Sequence, residues 1–134
     1  MARNRRIVLA SANVTRASVA VIAGLHGFAD LGSFGSEIKT PNLDSLAKEG
    51  VRFSNFYTHA SCSPTRSMLL SGVDTHLNGL GNMSEWTAPN QRGLVGYEGY
   101  LNKNVVTLPQ LMKDAGYHTY MVGKWHLGKA PDRI

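Results

Sequence analysis

The residues best suited to chemistry in this sequence are a cysteine and an arginine four positions apart, Cys62 and Arg66. They lie in the stretch CSPTRSMLLSG, residues 62–72, which predicts a helix over Pro64–Ser71. Proline suits a first helical turn, where its missing N–H costs nothing; the serine before it is a candidate cap, and Gly72 a candidate end. We expect Cys62 just outside the helix N-terminus, where free N–H groups favour negative charge. Arg66 adds a permanent positive charge, so a nucleophile here faces an anionic substrate.

A second pair of candidate residues, Lys124 and His126, lies two positions apart around a tryptophan. The pair follows Tyr117–Val122, a predicted strand that ends at Gly123. Open α/β sheets place ligand contacts at the carboxyl ends of their strands. In an extended segment, residues two apart point the same way. The alternative is an exposed lysine and a chance histidine.

Two further segments are predicted to carry the chain to the cysteine. The segment Thr40–Gly50, TPNLDSLAKEG, predicts a helix with threonine as N-cap, proline in its first position and glycine as its end. Its leucines at 43 and 46 and its alanine at 47 fall on one face, which predicts a buried side. The next segment, Val51–Tyr57, largely alternates apolar and polar residues and predicts a strand. His59, in the loop that follows, is interpreted as structural or solvated.

Beyond the cysteine, a long irregular stretch rich in Gly and Asn spans Gly72–Lys103 and contains His76 and Glu85. Loops of this length are usually functional or disordered. The segment Thr107–Gly116, TLPQLMKDAG, then predicts another capped helix, with Leu108, Leu111 and Met112 as its buried side.

The N-terminal region carries basic residues but no carboxylate before Asp30. Ser18–Ala23 is short, apolar and bounded by glycine, which predicts a buried strand, and Ile7–Ala10 is a weaker strand candidate. Arg5 and its neighbouring arginine loosely resemble a twin-arginine export signal, but polar residues interrupt the apolar run and no clean cleavage site follows. Localisation, cytoplasmic or periplasmic, stays open.

Composition narrows the functional classes. The net charge is +5, but the basic residues of the first sixteen positions have no aromatic residues between them, which argues against a nucleic-acid site. No stretch approaches the ~18 apolar residues of a membrane span. A single cysteine excludes an internal disulfide framework, so Cys62 is either buried packing or chemistry.

Two motifs in the expected order carry a family resemblance. The pattern C-x-P-x-R followed by S-G, from Cys62 to Gly72, is similar to the activation motif of the sulfatases. A second stretch, GYHTYMVGKWHLGK over residues 116–129, resembles the downstream sulfatase motif. The resemblance covers about residues 27–134 and is to bacterial arylsulfatase N-terminal regions in particular.

The resemblance implies an α/β fold of the alkaline-phosphatase-like class, of which this chain is the N-terminal portion: a mixed sheet flanked by helices. It implies that a maturation enzyme, such as a formylglycine-generating enzyme, oxidises Cys62 to formylglycine, whose hydrate attacks the sulfur of a small-molecule sulfate ester. By the same resemblance, Arg66 fixes the hydrate, Lys124 donates to the sulfate oxygens and His126 contacts the nucleophile or the sulfate. The irregular stretch after Gly72 is expected to rim the cleft.

The resemblance also implies an active-site calcium, bound by tandem aspartates after the first strand and by formylglycine at Cys62. In this chain, Gly24 and Leu25 stand where those aspartates belong. A shifted alignment that starts from the weaker strand gives a serine and an alanine at 11 and 12, which offer no carboxylate either. Calcium takes six to eight oxygen ligands, so we predict that this chain alone does not hold the metal. Asp30 is interpreted as a loop residue.

The resulting prediction divides the chain into a divergent segment, residues 1–26, and a partial sulfatase domain, residues 27–134. The favoured function is that of an arylsulfatase-type hydrolase, of which this chain alone is inactive. The alternative is a non-catalytic remnant: a truncated or frame-damaged sulfatase product without a competent metal site.

Overall fold

A computed structural model describes residues 8–9, 21–22 and 29–128 of the chain. The chain divides into two compact units, Met1–Thr58 and His59–Ile134. No helix of the described residues is long and apolar enough to cross a membrane.

The first unit contains a short strand pair. Strand β1, Val8–Leu9, pairs antiparallel with β2, Val21–Ile22, so that Val8 lies opposite Ile22. Both strands fall inside the two segments that the sequence predicts to be strands. They form the one sheet of the described residues, and it has two strands. The larger mixed sheet flanked by helices therefore stays a prediction.

Helix α1, Pro41–Glu49, has the ends that the sequence predicts, with Thr40 as N-cap and Gly50 as C-cap. The threonine hydroxyl does not cap the helix but donates to the Asp44 carboxylate at 2.8 Å. The same hydroxyl accepts a hydrogen bond of 2.9 Å from the backbone N–H of Gly32, at the start of a 3₁₀ turn. Of the predicted apolar face only Ala47 is buried. The helix is therefore fixed at its start by polar contacts with the 3₁₀ turn as well as by apolar packing.

The predicted strand Val51–Tyr57 is wrong, because the segment contains a turn instead of a ladder. Phe53 and Phe56 place their ring centroids 6.2 Å apart across that turn, and both side chains are exposed. Arg52 lies over the ring of Phe34, 5.6 Å from its centroid, and donates to the Ser33 carbonyl. Alternation in sequence gives a strand only where a neighbouring strand accepts its backbone hydrogen bonds, and no described residue supplies one here.

The second unit begins with helix α2, Cys62–Ser71, and continues into the short α3, Thr75–Asn78. Helix α2 ends at Gly72, whose φ of 68° is left-handed, as the sequence predicts for a C-cap glycine. Asn78 is fully buried and joins the two helices, since its amide donates to the Ser67 hydroxyl at 2.9 Å and to the Val73 carbonyl at 3.0 Å. Met68 and Leu69 are only partly buried, whereas the mainly polar first half of the helix, residues 63–67, is buried.

Apart from the short α3 and one 3₁₀ turn, the long stretch after α2 is irregular, as predicted, and backbone hydrogen bonds join it to itself and to the loop near the end of the described residues. The backbone N–H of Gly81 donates to the Gly96 carbonyl at 2.8 Å, and that of Leu101 donates to Leu127 at 3.1 Å. A Cβ at Gly96 would meet the His76 carbonyl oxygen at 2.4 Å, so only glycine fits this close approach. The core of this unit is formed by Leu80, Leu101 and Leu127, with Leu70, Val105 and Trp125 packed against them.

Helix α4, Leu108–Asp114, is capped at Thr107, whose hydroxyl accepts from the backbone N–H of Gln110 at 3.4 Å. Its predicted apolar side is not buried: Leu108 and Leu111 are exposed, and Met112 is only partly covered. The predicted strand Tyr117–Val122 is also wrong, because the segment forms no ladder. Val122 is fully exposed, so the described residues supply neither a partner strand nor a covering layer.

Candidate active site

The first turn of helix α2 holds the candidate nucleophile. Cys62 is the first residue of the helix and is partly buried. The prediction that it lies just outside the helix is wrong, because the helix begins two residues earlier than the predicted start at Pro64. The N-cap is Ser61 rather than Ser63, which is itself buried. The sulfur-bearing side chain therefore belongs to the first turn, where the helix macrodipole favours a negative charge.

Arg66 connects this helix to the second motif. It lies four residues after Cys62, one helical turn along, and only 9% of it is exposed. Its Nε donates to the backbone carbonyl of Trp125 at 2.7 Å, and its Nη2 donates to that of Lys124. The two motifs, which are 59 positions apart at this contact, are thus brought together by one side chain. The guanidinium is used for positioning the loop, a role that sequence reasoning did not assign.

The loop that Arg66 holds, residues 123–128, has a distorted backbone. Gly123 and Gly128 have φ of 107° and 120°, and His126 has φ of 56°, the single positive φ of a non-glycine residue among those described. Left-handed backbone costs energy in a residue with a Cβ and persists only where the surroundings fix it. Here the surroundings include the two carbonyl contacts to Arg66 and the fully buried side chain of Leu127.

The structure therefore changes the expected relation of Lys124 to His126. The extended geometry on which that expectation depended is absent at His126, where φ is positive. The lysine is exposed, whereas the histidine is partly buried. Both lie in the loop that contacts α2, but their side chains have different surroundings.

Glu85 is the partner of His126, a contact that sequence reasoning missed. Its carboxylate Oε1 lies 2.8 Å from Nε2 of the imidazole, across 41 positions of sequence. The backbone N–H of Glu85 itself holds the pKa of its carboxyl below the ordinary value, and the Ser84 hydroxyl and His126 act in the same direction. No local pattern marks such a pair, because the glutamate belongs to a 3₁₀ turn, Ser84–Trp86, inside the irregular stretch.

Two adjacent residues of the loop carry buried polar atoms with no hydrogen-bond partner among the described residues. They are the indole Nε1 of Trp125 and the imidazole Nδ1 of His126. Buried polar groups are nearly always paired, because an unpaired one costs about 1–3 kcal/mol. The indole N–H of Trp125 and the ring nitrogen of His126 can therefore hydrogen-bond to a polar group that approaches the loop.

A second group of histidines comprises His59, which precedes α2, and His76, which lies in α3. Burial lowers the pKa of His59, and the neighbouring His76 adds to the effect, while Asp74 opposes it. The backbone N–H of Ser61 donates to Nδ1 of His59 at 3.2 Å, which requires that nitrogen to be unprotonated. His76 contacts the Asp74 carboxylate at 3.3 Å and the Tyr97 hydroxyl at 3.1 Å. These contacts support the structural interpretation of His59.

The described residues do not fit the calcium that the resemblance implies. Among residues 8–9, 21–22 and 29–128, no group of three or more His, Cys, Asp or Glu side chains could hold a metal ion. Gly24 and Leu25, where the tandem aspartates are expected, lie outside the described residues. Cys62, the one member of the predicted ligand set that is described, is therefore not part of such a group. No chemical step is assigned to the metal.

Comparison with known proteins gives a consistent result. The family model described as Sulfatase matches residues 18–132. The chain is 55% identical over 116 residues to an uncharacterized sulfatase of Schizosaccharomyces pombe, covering 84% of this chain and 21% of that protein. It is 44% identical to the arylsulfatase of Klebsiella aerogenes, covering 84% of this chain and 24% of that protein. The human N-acetylgalactosamine-6-sulfatase is 41% identical, with 78% of this chain and 20% of that protein covered.

The chain thus spans about a fifth to a quarter of the length of the curated relatives it matches. The family model covers most of its residues, and both motif regions, the start of α2 and the loop held by Arg66, fall inside the match. The chain belongs to the sulfatase family.

Proposed function

We propose that the chain supplies the nucleophile-bearing part of a sulfate-ester hydrolase of the arylsulfatase type. The observation that carries the proposal is the contact of Arg66 with the carbonyls of Lys124 and Trp125. That contact places the helix that begins with Cys62 beside the loop that contains the candidate lysine and histidine.

The proposed role of Cys62 is that of a formylglycine precursor. Once Cys62 has been oxidised to formylglycine, the hydrate of its aldehyde supplies the nucleophilic oxygen for attack on a sulfate ester. The first turn of α2 then favours the negative charge of the substrate, because the positive end of the helix macrodipole lies there.

The other three residues have distinct proposed roles. Lys124, exposed at the loop, donates to the sulfate oxygens and stabilises their charge in the transition state. His126 moves a proton to or from the nucleophile or the departing oxygen. Arg66 positions the loop by two hydrogen bonds to backbone carbonyls and adds positive charge beside the first turn. The contact of Arg66 with the formylglycine hydrate, which the family resemblance implies, would be a second role of the same side chain.

Maturation of Cys62 is tested directly by mass spectrometry. The chain is co-expressed with a formylglycine-generating enzyme, and the tryptic peptide Phe53–Arg66, or Phe53–Arg92 in the variant that lacks Arg66, is measured. We expect loss of the thiol and gain of an aldehyde. His59→Gln, which changes the same peptide outside the C-x-P-x-R pattern, should still be converted, whereas Arg66→Ala should not. An unmodified thiol under conditions that mature a control sulfatase would sink the proposal.

A second candidate function is that of a non-catalytic sulfatase remnant. It is favoured by the lack of any carboxylate before Asp30 and by the lack of a metal-binding group among the described residues. The coding DNA upstream of Gly27 distinguishes the two candidates: a tandem Asp-Asp in another reading frame supports a frame-damaged remnant. For the isolated chain we expect no turnover of an aryl sulfate, and metal-dependent turnover that is lost in Cys62→Ala would exclude a remnant.

A further inference from the structure

The two ring nitrogens of His126 have different surroundings. Nε2 lies 2.8 Å from the Glu85 carboxylate. Nδ1 is buried and has no partner among the described residues. An imidazole that is neutral carries one proton, and the partner of one nitrogen decides what the other can do.

The carboxylate of Glu85 accepts but does not donate. Its pKa is lowered first by its own backbone N–H, then by the Ser84 hydroxyl and by His126, so the group is ionised at neutral pH. An ionised carboxylate has no proton to give. The 2.8 Å contact is therefore an Nε2–H donating to oxygen, and Nδ1 keeps its lone pair.

We infer that Glu85 is a positioning residue that fixes His126 in the Nε2–H tautomer and leaves Nδ1 as the working proton acceptor of the loop. The inference rests on the proposed function for the use of that nitrogen, but the tautomer itself is independent of it. In a proton transfer, Nδ1 takes the proton of a hydroxyl group and the ring becomes an imidazolium. The other proton stays on Nε2 and remains hydrogen-bonded to the Glu85 carboxylate, whose negative charge stabilises the imidazolium.

The backbone supports this assignment. The φ of 56° at His126 is one that a residue with a Cβ adopts at a cost. The loop is held in this form by the Arg66 contacts on one side of the residue and by buried Leu127 on the other. The ring thus reaches Glu85 from a backbone that is fixed independently of that contact.

Nitrogen-15 NMR of the imidazole rings in the 134-residue chain tests the inference. The His126 resonances are assigned by their loss in His126→Gln. Near pH 8 we expect Nε2 in the protonated range and Nδ1 in the unprotonated range, with a downfield Nε2–H proton that exchanges slowly. Glu85→Ala should abolish that slow proton, while Glu85→Gln, which keeps an oxygen acceptor, should preserve the tautomer with a smaller downfield shift.

Asp74→Asn is the matched control, because that carboxylate contacts Nδ1 of His76 instead. It should change the His76 signals and leave those of His126 in place. A proton on Nδ1 of His126 in the unchanged chain, or a slow Nε2–H that survives Glu85→Ala in a folded protein, would overturn the inference. Failure of Cys62 maturation would overturn the proposed function but would leave the tautomer result unaffected, so the two failures are distinguishable.

Discussion

Among single residues, Arg66 and Arg52 make the same kind of contact in different surroundings. Each donates to a backbone carbonyl, but the Arg66 contacts are partly buried, whereas the Arg52 contact is exposed. A buried acceptor that loses its partner costs more than an exposed one, because water does not replace the donor.

Arg66→Ala is therefore expected to lower the free energy of unfolding by about 2–3 kcal/mol, since the carbonyls of Lys124 and Trp125 lose a charged donor. Arg52→Ala, the matched control, should cost less than about 1 kcal/mol. Urea denaturation of both variants measures the difference. Equal losses would show that the contact with the loop has no special weight.

The lowered pKa of His59 makes the free energy of unfolding depend on pH. Burial, and then His76, lowers its pKa in the folded chain, while Asp74 partly opposes them. Its stabilising contribution is therefore complete above the ordinary pKa of 6.5 and declines as the pH falls through 6.5 toward the lower folded value. His59→Gln should flatten that decline. His118→Gln, at an exposed position, should leave it unchanged, and thermal melting between pH 7 and pH 5 compares the three proteins.

At the scale of elements, the ends of α1, the start of α4 and the glycine end of α2 were predictable, whereas the start of α2 and two of the four predicted strands were wrong. Pro41 and Gly50 mark α1, and Thr107 marks the start of α4, because caps and stops are local in sequence. The segments Val51–Tyr57 and Tyr117–Val122 have strand patterns, but a strand also needs a neighbouring strand for its hydrogen bonds, which no local pattern supplies.

The same limit applies to the candidate site. Cys62 and Arg66 were found from their motif, and Lys124 and His126 from theirs. The contact that joins the motifs spans 59 positions, and the contact between Glu85 and His126 spans 41. Nothing in the residues near Glu85 indicates its partner, so this part of the site required the structure.

Gly72 gives an element-scale prediction. Its φ is 68°, and an added Cβ would meet no heavy atom within 4 Å, so a substitution there tests backbone conformation alone. Gly72→Ala should cost about 1 kcal/mol. Gly72→Asn should cost clearly less, because asparagine tolerates the left-handed region better. Equal stability of all three proteins in urea denaturation would contradict a left-handed end to α2.

For the whole molecule, the prediction concerns calcium. A metal that binds the folded state raises the melting temperature by mass action. The described residues contain no group of three or more metal-binding side chains, and residues 1–29 contain no carboxylate. We therefore expect the melting temperature of the chain to be the same in millimolar calcium and in chelator. A rise with calcium that magnesium does not reproduce would show a metal site that this interpretation lacks.

The burial of the first half of α2 has a consequence for the order of events during synthesis. Ser63 and Arg66 are buried once the helix has formed, so an enzyme that reads C-x-P-x-R finds these side chains accessible only in the unfolded chain. The contact that covers Arg66 joins residues 59 positions apart, and such distant contacts form slowly. If Cys62 is matured as proposed, its maturation competes kinetically with closure of the loop over Arg66. The ratio of aldehyde to thiol in the finished protein would then record which came first, and a variant that folds more slowly would carry more aldehyde.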